Sequence, residues 1–303
     1  LRDCPLEMNV WNSFAQRRDW TIRGKRFSHS EIGDEKYQLG SANDLVSGKA
    51  TCALLTQSSH DLPIPDKSVD AIITDPPYGA NINYLDLSYF WLIWINRWVD
   101  KDGDYEREAI ENKHCGKGIN KYRNLLRDVF RECHRVLKPD RWMVMTFHNT
   151  NFGVWNAIHL AAHDAGFVLA EHDGMIYQPA IHQYETTSHA KESGSMLGDF
   201  ILSFQKVDKP PEFKAIEYTE IGRRIERLAA EAVIYHNGAT LSQIYMKLMP
   251  WLLNNNLLEK IGQKQVVPFL TRNFEERYGK WHLKAEPDQA LKDYLEHYSQ
   301  QHY

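Results

Sequence analysis

Apolar positions along this chain change their spacing twice. Between residues 50 and 206, short apolar runs alternate with longer stretches of helical period, whereas beyond residue 213 helical spacing prevails. The runs "ATCALLTQ" (50–57) and "VDAIIT" (69–74) read as buried strands. "RWMVMTFHN" (141–149), "VLAEHDGMIY" (168–177, with a turn) and "GDFILSFQK" (198–206) read as further strands. Between them, "LDLSYFWLIWINRWV" (85–99), "KYRNLLRDVFRECHRVL" (121–137) and "VWNAIHLAAHDAGF" (154–167) read as helices. Leu125, Leu126, Val129, Phe130, Val136 and Leu137 supply the apolar face of the second, and Lys138-Pro139-Asp140 stops it. Alternation of this kind predicts an α/β layer fold with a mainly parallel sheet.

Before residue 50 the pattern is weaker. "MNVWNSFAQRRDW" (8–20) reads as a helix, and residues 24–48 as a polar, turn-rich connection with some helix in it. After the linker "VDKPPEF" (207–213), three helical stretches and the short strand "KWHLK" suggest a winged-helix-like module. The predicted division is therefore an N-terminal segment (1–49), an α/β domain (50–206) and a helical module (207–303).

With 43% apolar and 25% charged residues, the composition is that of a soluble globular protein. Four cysteines without a C-x-x-C pair read as cytosolic thiols, so the chain is expected to be cytoplasmic. No apolar run reaches membrane-spanning length, and neither a membrane partner nor a metal is expected. A net charge of −4 gives no chain-wide nucleic-acid footprint but leaves room for a local one.

Candidate chemistry gathers where "VDAIIT" ends in Asp75-Pro76-Pro77-Tyr78. Two adjacent prolines have no N–H to donate, so the loop offers carbonyl oxygens, to which Asp75 adds a carboxylate. Such an acceptor-only tip suits an –NH2 group, and Tyr78 offers a flat face to a heterocycle. An exocyclic amine is a poor nucleophile because its lone pair is delocalised into the ring. Acceptors on both N–H bonds favour a more tetrahedral nitrogen and stabilise the positive charge that develops as it attacks. In α/β sheets, ligands sit at the carboxyl ends of strands, where this motif lies.

The segment resembles the [DNS]-P-P-[YFW] motif of the S-adenosylmethionine-dependent DNA amino-methyltransferases. "FRECHRVLKPDRWMVM" resembles their "RVLKPGG" helix and strand, and "MLGDFILSFQK" their closing strand. "DPPYGANINYLDLSYFWLIW" is most similar to proteins assigned as large prokaryotic DNA adenine methylases. Over residues 50–206 the resemblance implies the motif-bearing, catalytic part of a Rossmann-like sheet. It implies S-adenosyl-L-methionine as cofactor, DNA as partner, and adenine N6 as acceptor, the leading Asp favouring adenine over cytosine N4. RNA guanine N2 or cytosine N4 methylation, and a non-catalytic DNA- or partner-binding subunit of a split methyltransferase, are the alternatives. Asp75, Pro76, Pro77 and Tyr78 are the implied catalytic residues, with Tyr78, Gly79, Asn81, Asn83 and Tyr84 at the substrate. Ser58, Ser59, Asp61 and Asp75 are the cofactor candidates.

The family also uses an FxGxG loop after its first strand. Neither "CGKGIN" nor "SGSMLG" follows a strand and opens a helix, and "CGKG" reads as flexible loop. The first strands of the fold are likewise missing, so the chain is expected to be a fragment, or to need a second polypeptide carrying that loop. His159 and His163 have zinc-pair spacing but read as ordinary helix residues. Tyr89, Phe90, Trp91, Trp94 and Trp98 read as core or interface.

Overall fold

The computed structural model describes residues 10–33, 37–80, 82–100, 103–112, 116–149, 151–170, 174–178 and 199–302. The polar stretch 178–196, whose sequence reads as a loop rich in hydroxyl, amide and imidazole groups, lies almost wholly outside them. Two units are distinguished, Leu1–Thr56 and Gln57–Tyr303.

In the first unit, α1 (Val10–Ile32) runs well past the predicted helix and takes in part of the predicted connection. Its extension is polar and exposed on every side, so it carries no amphipathic signal. Helix α2 (Ala42–Val46) starts with a reciprocal capping box between Ser41 and Asp44. The strand predicted at 50–57 does not form. That stretch makes only an isolated parallel bridge from Cys52 to Leu39, and Leu54 is 77% exposed. A strand needs a partner along its length, and none of the described residues supplies one.

In the second unit, β1 (Val69–Thr74) pairs in parallel with β2 (Leu137–Phe147), and β2 pairs antiparallel with β5 (Asp199–Lys206). The other edge of β5 is shared by β3 (Phe167–Leu169) and β4 (Met175–Gln178), both antiparallel. Among the described residues only the β1–β2 pair of this sheet is parallel, which corrects the expectation of a mainly parallel sheet. The strands after β2 close the sheet by reversing direction against β5. Strand β1 is left as an edge, with Ile73 83% exposed.

Helix α5 (Ile119–Val136) buries Tyr122, Leu126, Phe130, Cys133 and Val136, which recur every three or four residues along one stripe. Leu137 already belongs to β2, so Lys138-Pro139-Asp140 lies inside an irregular strand, with Asp140 at φ 56°, rather than after a helix. Lys206 at the end of β5 is buried, and its ammonium donates to the carbonyls of His134 (2.5 Å) and Leu137 (2.6 Å) at the end of α5.

Helix α6 (Phe152–Asp164) is buried along most of its length because α5 packs on it from one side and α9 from another. There α7 (Tyr218–Tyr235), α8 (Leu241–Asn254) and α9 (Leu258–Asn273) are followed by the hairpin β6 (Phe274–Arg277) and β7 (Lys280–Leu283), then α10 (Gln289–His302). Tyr278 and Gly279 both have positive φ, as a two-residue hairpin turn of this hand requires. Ala239 forms an antiparallel bridge to Trp281. One continuous core runs from Tyr122 to Leu291.

The aromatic segment takes a different place from a core helix. Helix α3 (Tyr84–Leu92) and the 3-10 turn after it bury none of their residues, and Trp94 is 81% exposed. Among the described residues no helix is long and apolar enough to cross a membrane. His159 is buried and held neutral, its pKa pushed down to about 3 by burial. His163 bonds the Pro211 carbonyl at 3.0 Å and stacks on Phe213.

Burial separates the tryptophans energetically. Trp155→Ala is expected to cost about 3–5 kcal/mol in urea unfolding. Trp94→Ala is expected to change stability by less than about 0.5 kcal/mol.

Candidate active site

The tip of β1 is fixed by four surrounding segments. Tyr122, fully buried in the first turns of α5, donates its hydroxyl to the Pro77 carbonyl at 2.6 Å. Burial pushes its own pKa up, so it remains a donor. Asn149, buried just beyond β2, donates Nδ2 to the Tyr78 carbonyl at 3.1 Å. Its Oδ1 accepts from the Asn151 N–H at 2.7 Å, and its own carbonyl accepts from Trp155 Nε1 at 2.8 Å. The Gly79 carbonyl accepts from the Glu111 N–H at 3.2 Å.

Three successive carbonyls of the loop are thus engaged. That of Pro76 accepts no hydrogen bond among the described residues, although Pro76 is buried. Asp75 beside it is exposed, and its Oδ1 accepts from the Tyr78 hydroxyl at 2.6 Å. The acceptor-only tip therefore has one free carbonyl and one carboxylate side by side in sequence.

The Tyr78 ring meets Phe147 edge-on at 5.3 Å, and Phe147 meets Trp155 at 4.8 Å, so the loop rests on an aromatic column. Burial first, then the bond to Asp75, raises the Tyr78 hydroxyl's pKa. Gly79 has φ +66°, and a Cβ there would lie 2.9 Å from Val154 Cγ1, so both conformation and space call for glycine. Tyr84 stands close enough to Asp75 for the carboxylate to help raise its pKa, after burial. Asn83 precedes α3 without capping it through its side chain. Asn81 lies outside the described residues.

Among the described residues no hydrogen bond joins the cofactor candidates Ser58, Ser59 and Asp61 to Asp75. Ser58 Oγ bonds His60 Nδ1 at 2.6 Å, and the Asp61 carbonyl accepts from Gln57. One residue further on, the Leu62 N–H donates to Glu132 at 2.7 Å, and Arg135 donates to the Leu62 carbonyl. Lys67 and Ser68 bond the carbonyls of Arg135 and Val136, which anchors this approach at the end of β1 opposite Asp75.

Within the "CGKG" stretch, residues 116–118 are described. Lys117 is buried, donates to the Glu108 carbonyl at 3.0 Å and pairs with Asn112 across a bridge. Glu108 in turn accepts from the Leu85 N–H at 2.8 Å, which ties the start of α3 to this turn. The described part of the loop is ordered by these bonds.

Sequence reasoning overlooked Tyr122 and Asn149. Tyr122 reads as one more residue of an amphipathic stripe. Asn149 carries a usable signal, because it follows an apolar strand as Asp75 follows β1, and neighbouring parallel strands end side by side.

Residues 69–301 match the family model of the N6_N4_Mtase DNA methylases, and the chain belongs to that family. No curated protein matches significantly. Among solved structures, a "putative DNA modification methylase" from Thermus thermophilus is 18% identical, and its complex with S-adenosyl-L-methionine 19%. Both alignments cover 66% of this chain but 63% of that one, with a TM-score of 0.27. The 4+2 cyclase SpnF is 13% identical over 55% of this chain and 60% of its own, again at 0.27. At such TM-scores the likeness carries no weight for the site.

Removing one tether tests this geometry. Tyr122→Phe keeps the ring and leaves the Pro77 carbonyl unpaired, and should cost about 1–2 kcal/mol in urea unfolding. Gly79→Ala should cost at least as much, about 1–3 kcal/mol from strain alone.

Proposed function

We propose that the tip of β1 holds the exocyclic amine of a nucleobase for S-adenosylmethionine-dependent methylation, with N6 of adenine in DNA as the acceptor. The observation that carries this reading is the pair of acceptors at the tip, the Asp75 carboxylate and the untethered Pro76 carbonyl, in a chain of the DNA methylase family. Asp75 and Pro76 grip the two N–H bonds, and Pro77 stiffens the loop through the bond to Tyr122. Tyr78 gives the flipped base a surface, which offsets part of an unstacking cost of a few kcal/mol. Because its hydroxyl sits on Asp75 in this structure, the incoming amine replaces one donor on that carboxylate with another. Gly79, Asn83 and Tyr84 are assigned to the approach to the base. The proton lost after attack leaves from a nitrogen already held by a carboxylate.

When bound, S-adenosylmethionine supplies an electrophilic methyl group. The described residues do not form a glycine-rich cradle for it, and no hydrogen bond among them joins Ser58, Ser59 or Asp61 to Asp75. We therefore assign this chain the acceptor side of the reaction, with the donor side supplied by polypeptide that pairs along the free edge of β1. Parallel strands are normally covered on both sides and both faces. The edge of β1, the exposed Ile73 and the uncovered Phe90, Trp91, Trp94 and Trp98 support such a partner. The order helix, bridge, helix, helix, hairpin after residue 217 supports a winged-helix reading of the C-terminal module.

Nucleosides from DNA and tRNA, analysed by mass spectrometry after incubation with the chain, its neighbouring polypeptide and labelled S-adenosylmethionine, test this. The expected product is N6-methyladenine, reduced about 10²–10³-fold by Asp75→Ala. N4-methylcytosine or N2-methylguanine would replace the acceptor, and undiminished methylation by Asp75→Ala would remove the mechanism.

A further inference from the structure

Away from the tip of β1, two helices of the C-terminal module bring three arginines to one concavity. Arg223 and Arg227 of α7 and Arg272 of α9 line a cavity of about 220 Å³, together with Glu226, Asp288 and Leu291. Each guanidinium has a different setting. Arg227 lies over the Tyr294 ring at 5.0 Å, which fixes its plane. Arg272 reaches Asp288 through Nε at 3.3 Å. Arg223 is exposed and makes no hydrogen bond among the described residues.

The carboxylates face the arginines and also take other donors. Asp288 accepts from the Leu291 N–H at 2.9 Å at the start of α10 and from Asn273 Nδ2 at 3.1 Å. Glu226 is buried beneath the arginines, beside the buried Asn273. Three guanidinium groups against two carboxylates leave one net positive charge, that of a site for a singly charged oxyanion. Planar guanidinium donors match phosphate oxygens two at a time.

We propose that this cavity binds a phosphate of the nucleic-acid backbone, so that the C-terminal module grips DNA while the tip of β1 holds the base. The proposal rests on the reading of DNA as substrate. Its contact is independent of base sequence, since phosphates position a duplex without specifying it.

Two probes of the full chain test it: inorganic phosphate by thermal shift against chloride of equal ionic strength, and a fluorescent duplex by anisotropy across a salt series. Phosphate should raise the melting temperature of the wild type and leave Arg223→Ala/Arg272→Gln unmoved. The double variant should bind duplex several-fold more weakly whatever its sequence, with the slope of log K against log salt shallower by about 0.9. Arg223→Lys/Arg272→Lys should recover part of the affinity. Phosphate stabilisation without a change of slope would make this a site for free phosphate and overturn the backbone assignment. Neither effect would overturn the site altogether. Asp75→Ala should leave the slope untouched, so failure of the catalytic reading and failure of the phosphate site register in separate measurements.

Discussion

The hydrogen bond from Tyr122 to the Pro77 carbonyl sets the terms for everything at the tip of β1. A double-proline loop has no N–H donors of its own with which to tie itself down, so its shape must come from donors elsewhere. Helix α5 supplies Tyr122, the end of β2 supplies Asn149, and the 103–118 segment supplies the Glu111 N–H. These donors take the carbonyls of Pro77, Tyr78 and Gly79 in succession. What they leave, the Pro76 carbonyl next to the Asp75 carboxylate, is defined by subtraction. A site made this way is preorganised, because the unused acceptor cannot turn to satisfy itself.

The same strand that carries the site is the least covered strand of the sheet. Strand β1 is parallel to β2 on one side and open on the other, and the helix that follows it leaves its aromatic residues in solvent. In a protein whose core elsewhere is continuous from Tyr122 to Leu291, this concentration of exposed Trp and Phe side chains is unlike surface scatter. It lies beside the catalytic candidates rather than at the far end of the module. Among the described residues, the open edge of β1 and the exposed aromatic residues of α3 lie on neighbouring parts of the chain.

The parts of this arrangement that could be read in the sequence are those fixed by local pattern. β1, α5, α6 and β5 each carry a period of their own, and the proline pair marks the strand end directly. The parts that could not be read depend on neighbours distant in the chain. Residues 50–57 are apolar enough for a strand but find no partner, and α3 is apolar enough for a core but finds none to enter. Of the candidate site, Tyr78 bonds Asp75, and donors from neighbouring segments hold the carbonyls of Pro77, Tyr78 and Gly79. Ser58 and Asp61 bond within their own loop, and bonds from Leu62, Lys67 and Ser68 to α5 hold the chain that follows at the opposite end of β1. The Tyr122 tether spans 45 residues and has no local signature at all.

The central claim is that Asp75 and Pro76 accept the two N–H bonds of an adenine amine. An oligonucleotide carrying ¹⁵N at that amine, bound to the chain with its partner polypeptide, would report it by NMR. Both amino protons should move downfield and exchange slowly with solvent, and Asp75→Ala should return one of them to its free position. Amino resonances that bind unshifted, or that shift identically in Asp75→Ala, would contradict the account.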